Sequence, residues 1–337
     1  MRKVFSLVMI LGLTLFLVAC GGKESASEDK LVIYSPNSED IVNTIIPMFE
    51  KETGIKVELI SAGTGELIKR ISSETENPYA DVMFGGSKAQ ALGYPELFER
   101  YVSKNNDDML DDHKNTEGFL TPYIADGSVI LVNTDLIGDI KVEGYEDLLN
   151  PELKGKIASA DPASSSSAFA QLTNMLLAMG GDYTADKGWD YVTALIKNLD
   201  GKVTSGSGAV HKGVADGEYV VGLTYEDPSA SYVRDGAPVK IVYPKEGSVF
   251  LDAGVEIVKG AKNLDNAKKF VDFIISKDAQ DAFGTKLTNR PLRKDVKLGE
   301  HMTPLEDINI ILEDEDYVKD NRDQLVEQYI DVFTSAQ

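Results

Sequence analysis

Four consecutive serines, Ser164 to Ser167, follow Asp161-Pro162-Ala163 and precede Ala168, Leu172, Met175, Leu176 and Met179. Apolar residues at intervals of three and four predict a buried helix face, so the serines fall where that helix begins. Hydroxyls at a helix start cap free N–H groups. Those N–H groups and the helix dipole also form a site for an anion. On this stretch alone a capping loop and an anion site are both open, and within it Ser165, Ser166 and Ser167 are the candidate contacts. Two more predicted helix starts have the same chemistry, Ser61-Ala62-Gly63-Thr64-Gly65 and Ser205-Gly206-Ser207-Gly208. Gly63, Thr64, Gly65 and Ser207 are the candidates there.

A second group of residues suits a different partner. Glu226 and Asp227 follow an apolar run, and ionised carboxylates only accept hydrogen bonds. They suit sugar hydroxyls or an ammonium group, not a phosphate. Asp227 also precedes Pro228, so a turn cap is an equal reading. His211 lies one turn after Ser207, where a neutral imidazole can donate to a hydroxyl or phosphate. Arg290 can grip a phosphate with two N–H groups or pair with a carboxylate. His113, in a charged loop, is expected at the surface.

Catalysis is not indicated. No Gly-x-Ser-x-Gly elbow surrounds the serines, no metal-binding pair exists among three histidines, and there is no phosphate-binding P-loop. No catalytic residue, cofactor or metal site is assigned, and the expected activity is binding.

Elements that could hold these groups alternate along the chain. Leu31 to Tyr34, Ile55 to Ile60 and Asp81 to Phe84 read as strands. A helix with Ile41, Ile45, Met48 and Phe49 inward lies between the first two, and one with Leu67, Ile68 and Ile71 inward follows the second. Such alternation predicts parallel α/β units, with ligands beyond the carboxyl ends of the strands. The polar loops at those ends are 35–38, 61–65 and 85–87, which adds Ser35, Asn37, Gly86 and Ser87. Residues 95–118 read as a surface excursion. A second α/β series begins after the apolar strand 127–133. No long linker separates the two series, so they should be joined through strands, with 127–133 and 253–258 as the candidates. An acidic helix or two closes the chain near 305–335.

Charge and the N-terminus narrow the setting. With 34 basic and 55 acidic residues the net charge is -21, which argues against nucleic acid and acidic membranes. An anionic ligand would need local donors. Arg2 and Lys3 precede the apolar run Phe5 to Val18, which is short for a membrane span and right for a signal core. It ends in Leu17-Val18-Ala19-Cys20, which resembles a bacterial lipobox. That resemblance implies a signal peptide at 1–19 and lipidation of Cys20, the only cysteine. Residues 20–29 read as a flexible tether.

The lipobox, Ile46-Pro47-Met48-Phe49-Glu50-Lys51-Glu52-Thr53-Gly54-Ile55-Lys56-Val57-Glu58, Ala80 to Gly86, Asn150 to Ile157 and Ala267 to Ile275 together resemble the substrate-binding lipoproteins of ABC importers. The branch is the one with ferric-iron, phosphonate, thiamine and sugar-phosphate binders. The resemblance implies a two-lobed α/β periplasmic-binding-protein-like fold of type II, hinged on two crossover strands. Residues 30–130 plus 255–337 would form the first lobe and 131–254 the second. It implies a monomer, anchored by lipid outside the bacterial cytoplasm, that delivers its ligand to an ABC permease or a sensor histidine kinase. The pattern Asp-Pro-Ala-x-Ser-x-Ser-Ala is similar to that of organophosphate binders, so a phosphorylated small molecule such as a hexose phosphate is the expected ligand. The alternatives are 2-aminoethylphosphonate, whose ammonium the carboxylates would neutralise, and ferric iron. Iron binders of the branch usually carry adjacent tyrosines, whereas here Tyr225 is followed by Glu226 and Asp227, with Tyr232 nearby.

Overall fold

A computed structural model describes residues 30–204 and 206–336. The expected signal peptide, Cys20, the tether and Ser205 lie outside the described residues. The chain begins with β1 (Lys30–Ser35), α1 (Glu39–Thr53), β2 (Lys56–Ser61), α2 (Thr64–Ser73), β3 (Val82–Ser87) and the short α3 (Lys88–Leu92). After an irregular stretch come β4 (Leu120–Asn133), β5 (Ile157–Ala160), α4 (Ser166–Gly180), α5 (Asp186–Leu199), β6 (Val203–Thr204) and α6 (Ser207–Ala215). Then follow β7 (Val221–Tyr225), α7 (Glu226–Arg234), β8 (Val239–Val242), β9 (Ser248–Ile257), α8 (Leu264–Ile274) and α9 (Lys277–Thr285). The chain ends with β10 (Arg290–Pro291), β11 (Ile310–Ile311) and α10 (Glu315–Ala336).

The apolar periodicities do what they predict. Ile41, Val42, Ile45 and Phe49 are the buried face of α1. The helix stops at Gly54, whose φ of 75° returns an N–H to the Glu50 carbonyl, a turn that glycine makes without strain. Leu67, Ile68 and Ile71 are buried from α2.

The strands order as β2-β1-β3-β9-β4-β7-β5-β6. β1 runs parallel to β2 and β3, and β5 runs parallel to β7 and β6. Two large cores flank this arrangement. Phe49, Phe84, Tyr123, Phe270 and Phe283 dominate the first, with Phe49 and Phe270 edge-to-face at 5.0 Å. Leu172, Leu176, Trp189, Leu195 and Leu223 belong to the second.

β4 and β9 join the halves. Tyr123, Ile124 and Ala125 of β4 are buried in the first core, and Ile130 and Val132 in the second. The mutual pairing of β4 and β9 runs from Leu120↔Glu256 to Gly127↔Phe250. Both strands begin earlier than the sequence suggests, because Pro122 and Asp126 interrupt the apolar run that marks β4. A Cβ on Gly127 would meet the Phe250 ring at 2.5 Å, so the crossing needs glycine there for close approach.

Two expectations change. Residues 95–118 are not a mere surface excursion. Met109 is fully buried in the first core, and Tyr101 and Ser103 donate to Asp272 at 2.8 and 2.6 Å. The C-terminal helix was expected with the first lobe, yet Val318, Leu325 and Tyr329 of α10 are buried in the second core. Tyr317 stacks on Tyr183 at 4.8 Å, and the Asp314 N–H donates to the Tyr183 hydroxyl at 2.9 Å. The sparse apolar stripe of α10 marks a buried face without saying which core it meets. Leu325→Ala should therefore cost about 2–4 kcal/mol in urea unfolding; a cost near zero would place α10 outside the core.

Candidate functional site

β3 and β7 point at each other. Ser87, at the end of β3, pairs with Ala253, which pairs with Ile124 of β4. Tyr225, at the end of β7, pairs with Ser128 of β4. From Ile124 to Ser128 is four strand steps, roughly 13 Å. The carboxyl-end loops of both halves thus face across a gap about one small molecule wide. Into it open the starts of α1, α2 and α3 from one side and of α4, α6 and α7 from the other.

On the first side the loops brace one another. Ser35 Oγ donates to the Phe84 carbonyl at 2.7 Å, and Asn37 Nδ2 donates to the same oxygen at 3.0 Å. The Tyr123 hydroxyl donates to Asn37 Oδ1 at 3.0 Å. Ser35 is fully buried, so it positions the loop and does not reach the gap, contrary to the expectation. Gly86 has φ of 95°, and a Cβ there would lie 2.8 Å from Thr64 Cγ2. Glycine is required on both counts, and the contact brings Thr64 and Gly86 together. Gly63 and Gly65 have open space around them. Ser87 Oγ caps α3 by accepting from Gln90 N–H at 3.3 Å.

On the second side Ser165 is the cap of α4. It is buried, accepts from Ala168 N–H at 3.3 Å, and lies 3.1 Å from Ser167 Oγ. Ser166 is exposed and Ser167 half-buried. Ser207 is hydrogen-bonded to Tyr225. The His211 ring packs on Tyr225 and Tyr232, with centroids at 6.1 and 5.9 Å. Burial lowers its pKa, which favours the neutral imidazole at pH 7.

The floor is acidic. Asp126 Oδ1 accepts from Asp227 N–H at 3.2 Å, and Asp126 also accepts from Glu226 N–H. This carboxylate from β4 therefore occupies the start of α7. Thr288 Oγ1 donates to Asp227 Oδ1 at 2.7 Å. Burial raises the pKa of Asp126 and of Asp227; repulsion from Asp227 and Glu226 adds to it at Asp126, and from Asp40 and Glu226 at Asp227.

Glu226 does not reach the gap, which corrects a second expectation. It is 1% exposed and pairs with Arg290, which is 2% exposed. Arg290 Nε donates to Glu226 Oε2 at 3.0 Å, and Oε1 takes Arg290 Nη2 and the Tyr243 hydroxyl. Both carboxylate oxygens are occupied, and of the two readings open for Arg290 the guanidinium takes the carboxylate. His113 is half-buried, not at the surface, with Nδ1 2.8 Å from Asp252 Oδ1.

Two cavities open at the gap. One of about 380 Å³ is lined by Ser38, His211, Tyr225, Asp227, Tyr232 and Asn289, among others. The other, about 560 Å³, lies among α3, α4 and α10 and takes in Ser87, Ser166, Phe169, Glu313 and Arg322. The remaining candidates line neither cavity. Sequence reasoning missed Asp126, Tyr243 and Arg322. Only Asp126 left a signal, as an acid interrupting an apolar strand. Among the described residues no cluster of three His, Cys, Asp or Glu could hold a metal.

Burial raises the Glu313 pKa to about 7, although the Thr173 hydroxyl donates to it. The folded value exceeds the unfolded one, so the stability it supports is present below about pH 4.5 and lost as pH rises through 7. Glu313→Gln should match the parent near pH 5 and exceed it at pH 8 by on the order of 2 kcal/mol in urea unfolding. An unchanged difference across pH would contradict this. Arg290→Met strands a buried carboxylate and should cost about 3–5 kcal/mol. Adding Glu226→Gln should recover part of the loss; no recovery would mean the pair is not coupled.

Residues 44–308 match the family described as bacterial extracellular solute-binding protein. An uncharacterized protein of Haemophilus influenzae is 32% identical over 281 residues, covering 79% of each chain. The Iron uptake protein A1 of Synechocystis is 27% identical over 285 residues, covering 78% of each. Among solved structures, the periplasmic binding protein AfuA from Actinobacillus pleuropneumoniae, with exogenous fructose-6-phosphate bound, superposes with a TM-score of 0.77 at 30% identity. That match covers 90% of this chain and 98% of AfuA. The fold is thus that of type II periplasmic binding proteins, which hand ligands to ABC permeases and are not enzymes. This chain belongs to the bacterial extracellular solute-binding proteins.

Proposed function

We propose that the chain captures a phosphorylated small molecule, a sugar phosphate such as a hexose phosphate, in the gap between its lobes. The observation that carries this is the facing of hydroxyl-bearing helix starts across that gap, with an acceptor-lined floor beside them. Thr64, Ser87, Ser165, Ser166, Ser167 and Ser207 are the phosphate donors in this reading, with backbone N–H groups at Gly63, Gly65 and Gly86. Such donors bind a phosphate without net positive charge, as a chain of charge -21 requires. His211 and Asp227 read the hydroxyls of the remainder, and Asn37 holds the loop beside them. The likeness to a fructose-6-phosphate-bound structure supports the same reading.

The lobes would be 30–130 with 255–312, and 131–254 with α10. The chain would act as a monomer, be cleaved after residue 19, carry lipid on Cys20 and a tether to residue 29, and deliver its cargo to a permease or sensor. An acidic floor also fits 2-aminoethylphosphonate, whose ammonium would meet Asp227. Iron is less suited, because Glu226 is occupied and burial raises the Tyr225 pKa against the phenolate form.

Calorimetric titration with glucose 6-phosphate, 2-aminoethylphosphonate and ferric citrate separates these ligands. Thr64→Val and Ser165→Ala should each weaken the phosphorylated ligand about tenfold, near 1.4 kcal/mol. Heat from neither phosphorylated compound would overturn the proposal, and visible absorption with ferric citrate would replace it with iron.

A further inference from the structure

Arg322 is an anomaly in this molecule. It is half-buried on α10, and its guanidinium stacks over Phe169 at 4.1 Å. Among the described residues it makes no ion pair or hydrogen bond, although the chain has 55 acidic residues to offer. Burial works against its charge more than the nearby Asp323 supports it, and a partly desolvated cation without a paired counter-ion is costly. Arg322 lines the larger cavity, where Ser166 and Ser87 supply hydroxyls from the two lobes.

Most other charges around that cavity are paired within the chain, and Glu313 meets only a neutral hydroxyl. Lys88 pairs with Glu315 at 3.3 Å. Asp252 is bonded to His113. Glu313 accepts from Thr173 at 2.8 Å. Lys319 lies 3.2 Å from Asp316. Arg322 is left as a lining cation with no paired carboxylate among the described residues, and its planar fork of N–H groups fits two oxygens of one anion.

We propose that Arg322, carried by the C-terminal helix, binds the anionic group of the ligand together with Ser166 and Ser87. This rests on the reading of the gap as the ligand site and adds a cation to the hydroxyl donors named for it. Burial of α10 in the second core holds the arginine beside the start of α4.

The test pairs calorimetry with nuclear magnetic resonance of the Arg322 side-chain Nε–Hε group, using glucose 6-phosphate, inorganic phosphate and citrate as probes. The expected result is that glucose 6-phosphate moves that resonance, that Arg322→Gln weakens its binding about tenfold or more, and that Arg322→Lys falls between. Thermal unfolding confirms that both variants are folded. If the parent binds glucose 6-phosphate and Arg322→Gln binds it equally, the inference is overturned and the ligand reading stands. If the parent binds no phosphorylated compound, the ligand reading fails. The resonance then decides the inference: a shift with phosphate or citrate keeps the anion site, and no shift with any probe removes it.

Discussion

The buried pair of Glu226 and Arg290 is the constraint on which the rest depends. The arginine sits on β10 against the first half of β4, and the carboxylate begins α7 in the second half of the molecule. Each is nearly sealed from water, so neither tolerates loss of the other. The pair, with the Tyr243 hydroxyl, fastens the two lobes at the root of the gap. Asp126 adds a second fastening by filling the start of α7 from the crossover strand. The lobes are thus tied together at this point, beside the close crossing of Gly127 and Phe250.

This tie decides which groups face a ligand. With α7 satisfied internally, the hydroxyls left to meet an anion in the proposed reading stand at the starts of α2, α3, α4 and α6. Thr64 is held at the first of these by its contact with Gly86, and Ser165 is locked as the cap of α4. The acids at the floor hold their protons more tightly than free carboxylates do, because burial and mutual repulsion disfavour three charges together. The gap is polar at both ends, with a guanidinium beside α10 and carboxyl groups beside α7.

Most of the fold was legible in the sequence because periodicity reports burial. The faces of α1 and α2, the start of α4 within the serines, and the strand–helix alternation follow from apolar spacing and capping chemistry. The two halves' facing loops were legible as polar residues at strand ends. What was hidden is pairing between distant charges. Nothing local to Glu226 or Arg290 says that they meet across 64 positions; Glu226 alone reads as a ligand contact, and Arg290 alone fits a phosphate or any carboxylate. The same holds for His113 with Asp252, 139 residues apart. The C-terminal helix was misplaced for a related reason, since a narrow apolar stripe such as Val318, Leu325 and Tyr329 fits either core. Ser35 looked available by type and position, and only its bond to the Phe84 carbonyl shows it turned inward.

The account stands on the claim that a phosphoryl group is what the facing helix starts hold. Mass spectrometry of the small molecules that co-purify with the chain, with phosphorus and metal quantified on the same sample, addresses it most directly. The account predicts a phosphorylated polyol at about one phosphorus per chain and no stoichiometric iron. A phosphorus-free solute, or iron bound one to one, would contradict it.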